Sequence, residues 1–463
     1  MDPMSTTRDR PIAPALPGPR GRWLTGHVRD FAADRLGFLT RIAREYGDIV
    51  ALRFAHRPVV VVNHPDLVEE VLVTRNRQFI KHFALRMARP TLGNGLLTSE
   101  GDFWRRQRRL AQPAFHRERV TAHGAVMVEY AERMLATWSD GRTLDIQDAM
   151  MRLTLEIVAK TLFDADVSTD AADASAAMEM LLRSFTARVG KLIPMPDFIP
   201  TPVNLRFRRA RDRLDRIIHG IIAARRASGE DRGDLLSMLL QAQDDADTTT
   251  AGGGGMTDVQ LRDEAMTLFM AGHETTANTL AWAWLLLSTH PEVEAKLHAE
   301  LDEVLPDGPP TVADLPRLVY AEHVVTEALR LYPTVWLLGR EAIEPTVVGG
   351  HRIAKGTTVY MSQWVVHRDP RFFDDPLAYR PERWEEGMAR KIHRYAYFPF
   401  GGGPRICIGN GFAMMEAVLL LATIARRFRP RVLRPAEVVP LPTMTLRPIG
   451  GIDVVLEARR RGA

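Results

Sequence analysis

The alternation of apolar and polar positions divides the chain into short β-like runs near its ends and long helical stretches between them. Residues 36–46 carry apolar positions at helical spacing. Ile49–Phe54 and Pro58–Asn63 then read as a β-hairpin, and Val59, Val60, Val61 and Val62 are β-branched throughout, as a strand prefers. His64-Pro65-Asp66 opens a helix with Asp66 in its first turn. Residues 80–100 form a looser stretch containing Gly93 and Gly95, and a helix starts near Glu100. Residues 117–165, 174–189 and 203–228 read as long helices, interrupted by Gly141 and by Pro194, Pro196, Pro200 and Pro202, where a helix cannot continue. The polar run Gln241–Gly255 reads as a disordered surface loop over 242–256. After it, Thr257-Asp258 caps a pattern that continues to about Thr289 and is apolar on nearly every side, which implies deep burial. A helix ending before Pro333, short strands over 343–362 with a turn at Gly349-Gly350, a coil-rich meander over 366–397, a helix reaching about Arg427 and short strands over 431–457 complete the pattern. The expected fold class is mainly α with a small β-rich subdomain.

Composition narrows the choice of function. The 463 residues carry a formal charge of +4 and a single cysteine. The charge does not by itself imply nucleic acid, and one cysteine excludes an intramolecular disulfide, as in a reducing cytosol. No apolar run is long enough to span a membrane, and the first ten residues lack the apolar centre of a signal peptide. A cytoplasmic protein without a membrane anchor is expected. Residues 1–20 read as a Pro-rich flexible or strapped arm, and 21–458 as one domain.

The central helix contains a polar defect, Ala271-Gly272-His273-Glu274-Thr275-Thr276-Ala277. A mid-helix glycine costs about 1 kcal/mol relative to alanine, so Gly272 needs a reason, such as close approach of a flat ligand. The hydroxyls of Thr275 and Thr276 can compete for carbonyls four residues back. Thr267, Ala271 and Thr275 are spaced by four and flanked by Met270 and Glu274, giving one face with a small residue, an alcohol and an acid. His273-Glu274 is not a zinc-binding HExxH motif, because Ala277 stands where its second histidine would be.

The only cysteine lies in Phe398-Pro-Phe-Gly-Gly-Gly-Pro-Arg-Ile-Cys-Ile-Gly-Asn-Gly-Phe412. Its glycines permit tight, partly left-handed turns. Cys407 falls at or just before the first turn of a helix, where backbone N–H groups favour a thiolate, and Arg405 adds positive charge. One thiolate cannot make a structural zinc site, which needs four protein ligands. It suffices where a macrocycle supplies the other donors to iron. A dinucleotide-binding loop is a weaker reading, because no strand leads into the glycines in a βαβ setting and no acid follows at the right interval.

The pattern Phe400-x-x-Gly403-x-Arg405-x-Cys407-x-Gly409 resembles the haem-binding loop of the cytochrome P-450 family, and further motifs follow in order. Trp104-x-x-x-Arg108 resembles the family's propionate-binding pair. Ala271-Gly-x-Glu274-Thr275-Thr resembles its oxygen-activating motif. Glu327-x-x-Arg330 and Pro381-Glu-Arg383-Trp384 resemble its buried ion cluster, with Trp in the last place instead of Phe. Arg340 resembles its second propionate arginine. The resemblance covers roughly residues 20–457 and implies haem b between the central helix and the helix after the cysteine loop.

On that resemblance Cys407 is the axial iron ligand. Arg405, Trp104, Arg108 and Arg340 hold the propionates, with Phe400, Gly409, Ala271 and Gly272 against the macrocycle. Thr275 handles iron-bound dioxygen and Glu274 feeds protons from solvent. Glu327, Arg330 and Arg383 are structural. Thr267, Met270, Ala271, Val335, Trp336, Leu337 and Met444 line the substrate pocket, with access loops near 80–100 and 190–203.

The implied activity is insertion of one oxygen atom of O2 into a lipophilic molecule: a fatty acid as first guess, or a terpenoid or polyketide. The implied protein is a monomer. NAD(P)H electrons would arrive through a separate ferredoxin or flavodoxin and its reductase, because the chain ends soon after the cysteine helix. Arg105, Arg106, Arg109, Arg117, Lys391, Arg394, Arg426 and Arg427 are candidates for the docking face. The alternatives are a peroxide-driven peroxygenase or isomerase, relatives that commonly lose the acid–alcohol pair present here, and a non-enzymatic haem sensor or carrier, which needs no such pair.

Overall fold

The structure is a computed structural model that describes residues 16–165, 177–178, 180–181, 199, 201–241 and 256–459. The readings for 242–255, most of 174–189, nearly all of 190–200 and residues 1–15 fall outside them. Residues 16–20 are strapped down, because the Ala51 N–H donates to the Pro17 carbonyl at 2.7 Å.

One helix, Asp258–Thr289, runs through the middle of the molecule. Its start is a capping box: the Gln260 N–H donates to the Thr257 hydroxyl at 3.3 Å, and the Thr257 N–H donates to the Gln260 side chain at 2.9 Å. It ends at His290, before Pro291 opens the next helix. Trp282 and Trp284 are fully buried on it, and Trp282 stacks on Tyr332 with ring centroids 4.3 Å apart. Helices Ile146–Phe163, Pro202–Ser228, Val319–Leu331 and Asn410–Arg427 pack around it.

The β-rich part is a five-stranded sheet in the order Ile49–Phe54, Arg57–Val62, Thr358–Met361, Leu338–Ala342, Phe79–Lys81. The second and third strands are parallel and the other neighbours antiparallel. Val59 and Val61 face the main helical core, while Val60 and Val62 face a second core with Val68, Leu72, Met361 and Phe398. A strand covered on both faces has no use for polar alternation, which explains the four consecutive valines.

The stretch 117–165 departs from the expected long helices. After the helix Gly124–Leu135, a short strand, Thr143–Asp145, pairs with Asp453–Ala458 near the chain's end. Three residues cannot announce a strand whose partner is three hundred positions away. The hairpin Thr346–Val348 and His351–Ile353 does turn at Gly349 and Gly350, both at positive φ.

Candidate functional site

Backbone geometry makes the cysteine loop. Gly401 and Gly403 have φ of 72° and 64°, and a Cβ on Gly403 would lie 2.0 Å from the Leu72 carbonyl oxygen. The Cys407 N–H donates to the Phe400 carbonyl at 3.0 Å, closing the loop, and the helix Asn410–Arg427 starts three residues later with Gly409 as its N-cap. Phe400 is half-buried beneath this loop.

Cys407 has exposed surface, yet enough protein surrounds its sulfur to desolvate it. Burial raises its pKa above the usual thiol value, against the opposing pull of the Gly409 N–H and the Arg108 guanidinium. The sequence-based expectation of a thiolate favoured by N–H groups is corrected in sign: in the protein alone desolvation wins. A metal that bonds the sulfur displaces the proton outright.

On the central helix one short stretch stands out. Ala271 is exposed and Met270, Gly272 and Thr275 half-buried, although the turns on either side are buried. Thr275 donates its hydroxyl to the Ala271 carbonyl at 2.8 Å, and Thr276 donates to Gly272 at 3.4 Å, the back-bonding expected of these residues. Gly272 also has a packing reason: a Cβ there would meet Val158 Cγ2 at 2.9 Å, so the glycine admits the neighbouring helix. Glu274 departs from expectation. It is buried, and its Oε1 accepts the Thr445 hydroxyl at 2.7 Å, so it does not face solvent.

A group of cations adjoins the cysteine loop. Arg405 pairs with Glu100 and stacks over the Trp104 ring at 4.5 Å, while its Nη1 is buried without a partner. Arg108 donates to Gln112 at 2.9 Å and to the Ile406 carbonyl at 2.8 Å, so it grips the loop itself. Arg340 is buried, donates to its neighbour Gly339's carbonyl at 3.0 Å, and is pushed down to about 10 by burial and then by Arg405.

Lys81, which sequence reasoning missed, is cross-strand from Arg340. Its ammonium donates to the Leu96 and Ser99 carbonyls at 2.6 and 2.8 Å, and burial, then Arg405, push it down to about 7. Strand alternation was the available signal, since it puts Lys81 on the same buried face as Phe79.

Lys81, Arg340 and Arg405 thus gather around Glu100, with Glu264 adding its attraction to Lys81. Desolvated cations in excess call for anionic counter-charge. A macrocycle with two carboxylates, one apolar face and one open metal position fits this donor set. No group of three His, Cys, Asp or Glu side chains able to hold a metal ion occurs among the described residues.

The expected structural cluster is fully formed. Glu327 Oε1 accepts from Arg330 Nη2 at 2.8 Å, Arg383 Nε at 2.7 Å and the Arg380 N–H at 3.1 Å. Its Oε2 accepts from Arg330 Nε at 2.9 Å and the Trp384 indole N–H at 2.9 Å. The tryptophan that departs from the family pattern supplies a hydrogen bond that phenylalanine lacks. Arg330 also donates to the His367 carbonyl at 2.8 Å, and His367 Nε2 accepts the Phe398 N–H at 2.9 Å, so the cluster reaches the start of the cysteine loop.

The expected pocket residues divide. Val335 and Leu337 are half-buried on one side of their segment. Trp336 is corrected: it is buried on the other side, with its ring 6.4 Å from Phe31 and its indole N–H donating to Thr443 at 3.0 Å. Met444 is half-buried at the tip of the ribbon Pro440–Pro442 and Leu446–Pro448. Trp282 donates to Leu446 of this ribbon at 3.0 Å, and Arg35 donates to its Pro442 carbonyl. Thr267 is buried under Gly95, in a segment laid across the central helix by Asn94 and Leu96 N–H bonds to Asp263 at 2.6 Å and Glu264 at 2.9 Å. Glu264 is pushed up to about 7, mainly by burial.

The single cysteine on its glycine loop, the long central helix with its polar turn and the Glu327 cluster that reaches the start of the loop make up the set of features expected of a haem-thiolate fold. The cytochrome P450 family model matches residues 16–454, and the chain belongs to that family. It is 41% identical to cyclooctatin synthase of Streptomyces melanosporofaciens over 95% of both chains. It is 34% identical to pentalenene oxygenase of Streptomyces avermitilis, over 95% of this chain and 96% of that one. The crystal structure of the cytochrome P450DA heme domain superposes with a TM-score of 0.86 at 28% identity, over 96% of this chain and 98% of that one. The protein is a cytochrome P450 monooxygenase. No described helix is long and apolar enough to cross a membrane.

Proposed function

We propose that this monooxygenase oxygenates a terpenoid hydrocarbon or alcohol, using haem b bound through Cys407 and electrons from a separate ferredoxin or flavodoxin and its reductase. The observation that carries the reading is the partly uncovered stretch Met270–Gly272 with Thr275, set in the buried middle of the helix, together with the thiol-bearing loop and its surplus of cations. The names of the similar Streptomyces proteins move the substrate guess from fatty acid to terpenoid. The half-buried apolar side chains Met270, Val335, Leu337 and Met444 suit such a molecule.

The bound haem supplies activation of dioxygen. The chain supplies the rest. Cys407 anchors the iron, and Arg405, Arg340, Arg108 and Trp104, joined by Lys81, offset and orient the propionates. Thr275 holds a hydroxyl proton on the Ala271 carbonyl, and that proton becomes available to a ligand above Ala271 when the hydroxyl rotates. Glu274, fixed on Thr445, stores a second acid–base site beside it. The segment near 80–100 serves as an access loop of one domain spanning 21–458; the other expected access loop, 190–203, lies mostly outside the described residues. The single cysteine and bacterial relatives support a cytoplasmic location.

Cys407→Ser tests the ligand. The reduced, carbon-monoxide-treated Soret peak of the wild type is expected to be lost, and an unchanged peak overturns the reading. Titration with cyclic terpenes and with fatty acids, read by the spin-state change of the haem absorbance, tests the substrate class. Tighter response to fatty acids overturns it. Thr275→Ala is expected to divert electrons to peroxide, lowering product per O2 consumed while substrate affinity stays unchanged.

A further inference from the structure

Far from the cysteine loop in sequence, a small turn presents two large apolar side chains to water. Trp23 is 90% exposed and Leu24 is 70% exposed. All the other tryptophans are buried or half-buried. The turn is firmly built. The Arg22 N–H donates to the Gly26 carbonyl at 3.0 Å and the Gly26 N–H donates back to Arg22 at 2.9 Å.

The Arg53 guanidinium donates to the Arg22 and Trp23 carbonyls at 2.6 and 2.8 Å, and the Ala55 N–H donates to Thr25 at 3.0 Å. Gly26 has φ of 58°, and a Cβ there would lie 2.0 Å from the Arg53 carbonyl oxygen. None of these bonds uses the Trp23 or Leu24 side chain. The fold therefore holds a two-residue apolar tip outward without needing it for its own packing.

The surroundings say what such a tip fits. Arg20, Arg22 and Arg29 are exposed around it, against one nearby acid, Asp30, which lies 4.0 Å from Arg22. Two protruding side chains are too small for a protein interface, which buries roughly 800 Å² per partner. A lipid bilayer accepts single projecting residues, and tryptophan with a cationic rim is the combination that its headgroup region favours. The tip is also close to the substrate side. Phe31, on the helix Val28–Ala33 that follows the turn, packs on Trp336, whose indole holds the Thr443 carbonyl of the ribbon that carries Met444.

We propose that the Arg22–Gly26 turn is a peripheral membrane-docking tip, with Trp23 and Leu24 entering the headgroup layer of an anionic bilayer and Arg20, Arg22 and Arg29 meeting its charge. The tip sets the enzyme against the phase in which an apolar substrate is dissolved.

The test uses the haem-loaded enzyme and vesicles of phosphatidylcholine alone or mixed with phosphatidylglycerol. Wild type is expected to co-sediment with the mixed vesicles, more strongly at low salt. The double variant Trp23→Ser/Leu24→Ser is expected to lose about tenfold or more of that partitioning, with its carbon-monoxide spectrum and melting temperature unchanged. Arg20→Ser/Arg22→Ser is expected to remove most of the dependence on lipid charge. In the wild type, brominated lipid is expected to quench one tryptophan, and this quenching disappears in Trp23→Phe. Equal partitioning of wild type and the serine variant, or no quenching, overturns the proposal. So does a change in self-association of the serine variant without vesicle binding, which would assign the tip to a second copy of the chain.

Discussion

Two buried charge clusters lie on either side of the cysteine loop, and they are built in opposite ways. Around Glu327 one carboxylate meets two guanidiniums, an indole N–H and a backbone N–H, so every lone pair has a donor. Around Lys81, three cations meet Glu100, with Glu264 also acting on Lys81, and burial pushes two of the cations down. The first cluster is electrostatically finished by the protein and belongs to the scaffold. The second leaves cations in excess, which suits the anionic ligand proposed above. Burial alone does not separate the two; the charge count does.

Breaking the finished cluster has the largest expected effect. Glu327→Ala leaves two desolvated guanidiniums facing each other and is expected to cost roughly 3–5 kcal/mol. Urea midpoints and haem content after expression check this, and near-normal haem content would show that the cluster is dispensable.

The unfinished cluster gives a pH signature of similar size. Lys81 is lowered from about 10.5 to about 7 in the folded protein. Between those values the unfolded chain binds more protons, so the stability of haem-free protein rises with pH across that window. The shift corresponds to roughly 3–5 kcal/mol over the full window. Melting temperatures at pH 7 and pH 9 should show the rise in haem-free wild type, a smaller rise once haem is bound, and none in Lys81→Met. An equal slope in all three would place Lys81 outside the ligand's field. Haem retention by Lys81→Met against apomyoglobin is expected to be about tenfold poorer, equivalent to about 1.4 kcal/mol.

Trp384→Phe sharpens the comparison more gently. It removes one of five hydrogen bonds to a carboxylate, with an expected loss of about 1.5–3 kcal/mol and an unchanged haem spectrum. Smallest of all, Gly272→Ala gains about 1 kcal/mol of helix propensity and loses a similar amount against Val158. Its melting temperature should hardly move, and Val158→Ala should turn the substitution into a net gain. A changed haem spectrum in Gly272→Ala would return the glycine to the ligand face.

Much of this was legible in the residues. The central helix and its Thr257 cap follow from spacing and capping rules, and the cysteine loop from its glycines. The Glu327 cluster follows from motif order. What escaped needed partners distant in sequence. Thr143–Asp145 is a strand only because Asp453–Ala458 pairs with it. Gly272 has a packing reason on another helix, at Val158. Lys81 is one residue in a three-residue strand, and its neighbours Arg340 and Arg405 arrive from the far half of the chain. Trp384 was visible as a departure from the family motif, but its indole bond to Glu327 needs the folded cluster to be seen.

The ribbon near the chain's end ties together things that sequence keeps apart. Thr445 fixes Glu274, Leu446 takes the Trp282 indole proton, Thr443 takes that of Trp336, and Met444 is at the tip among them. On the proposed reading, in which Met444 meets the substrate, a guest bulky enough to push it would tug the hydroxyl that steadies the acid. Size discrimination and acid placement would then be mechanically geared through four adjacent residues, and an ill-fitting guest would loosen both at once.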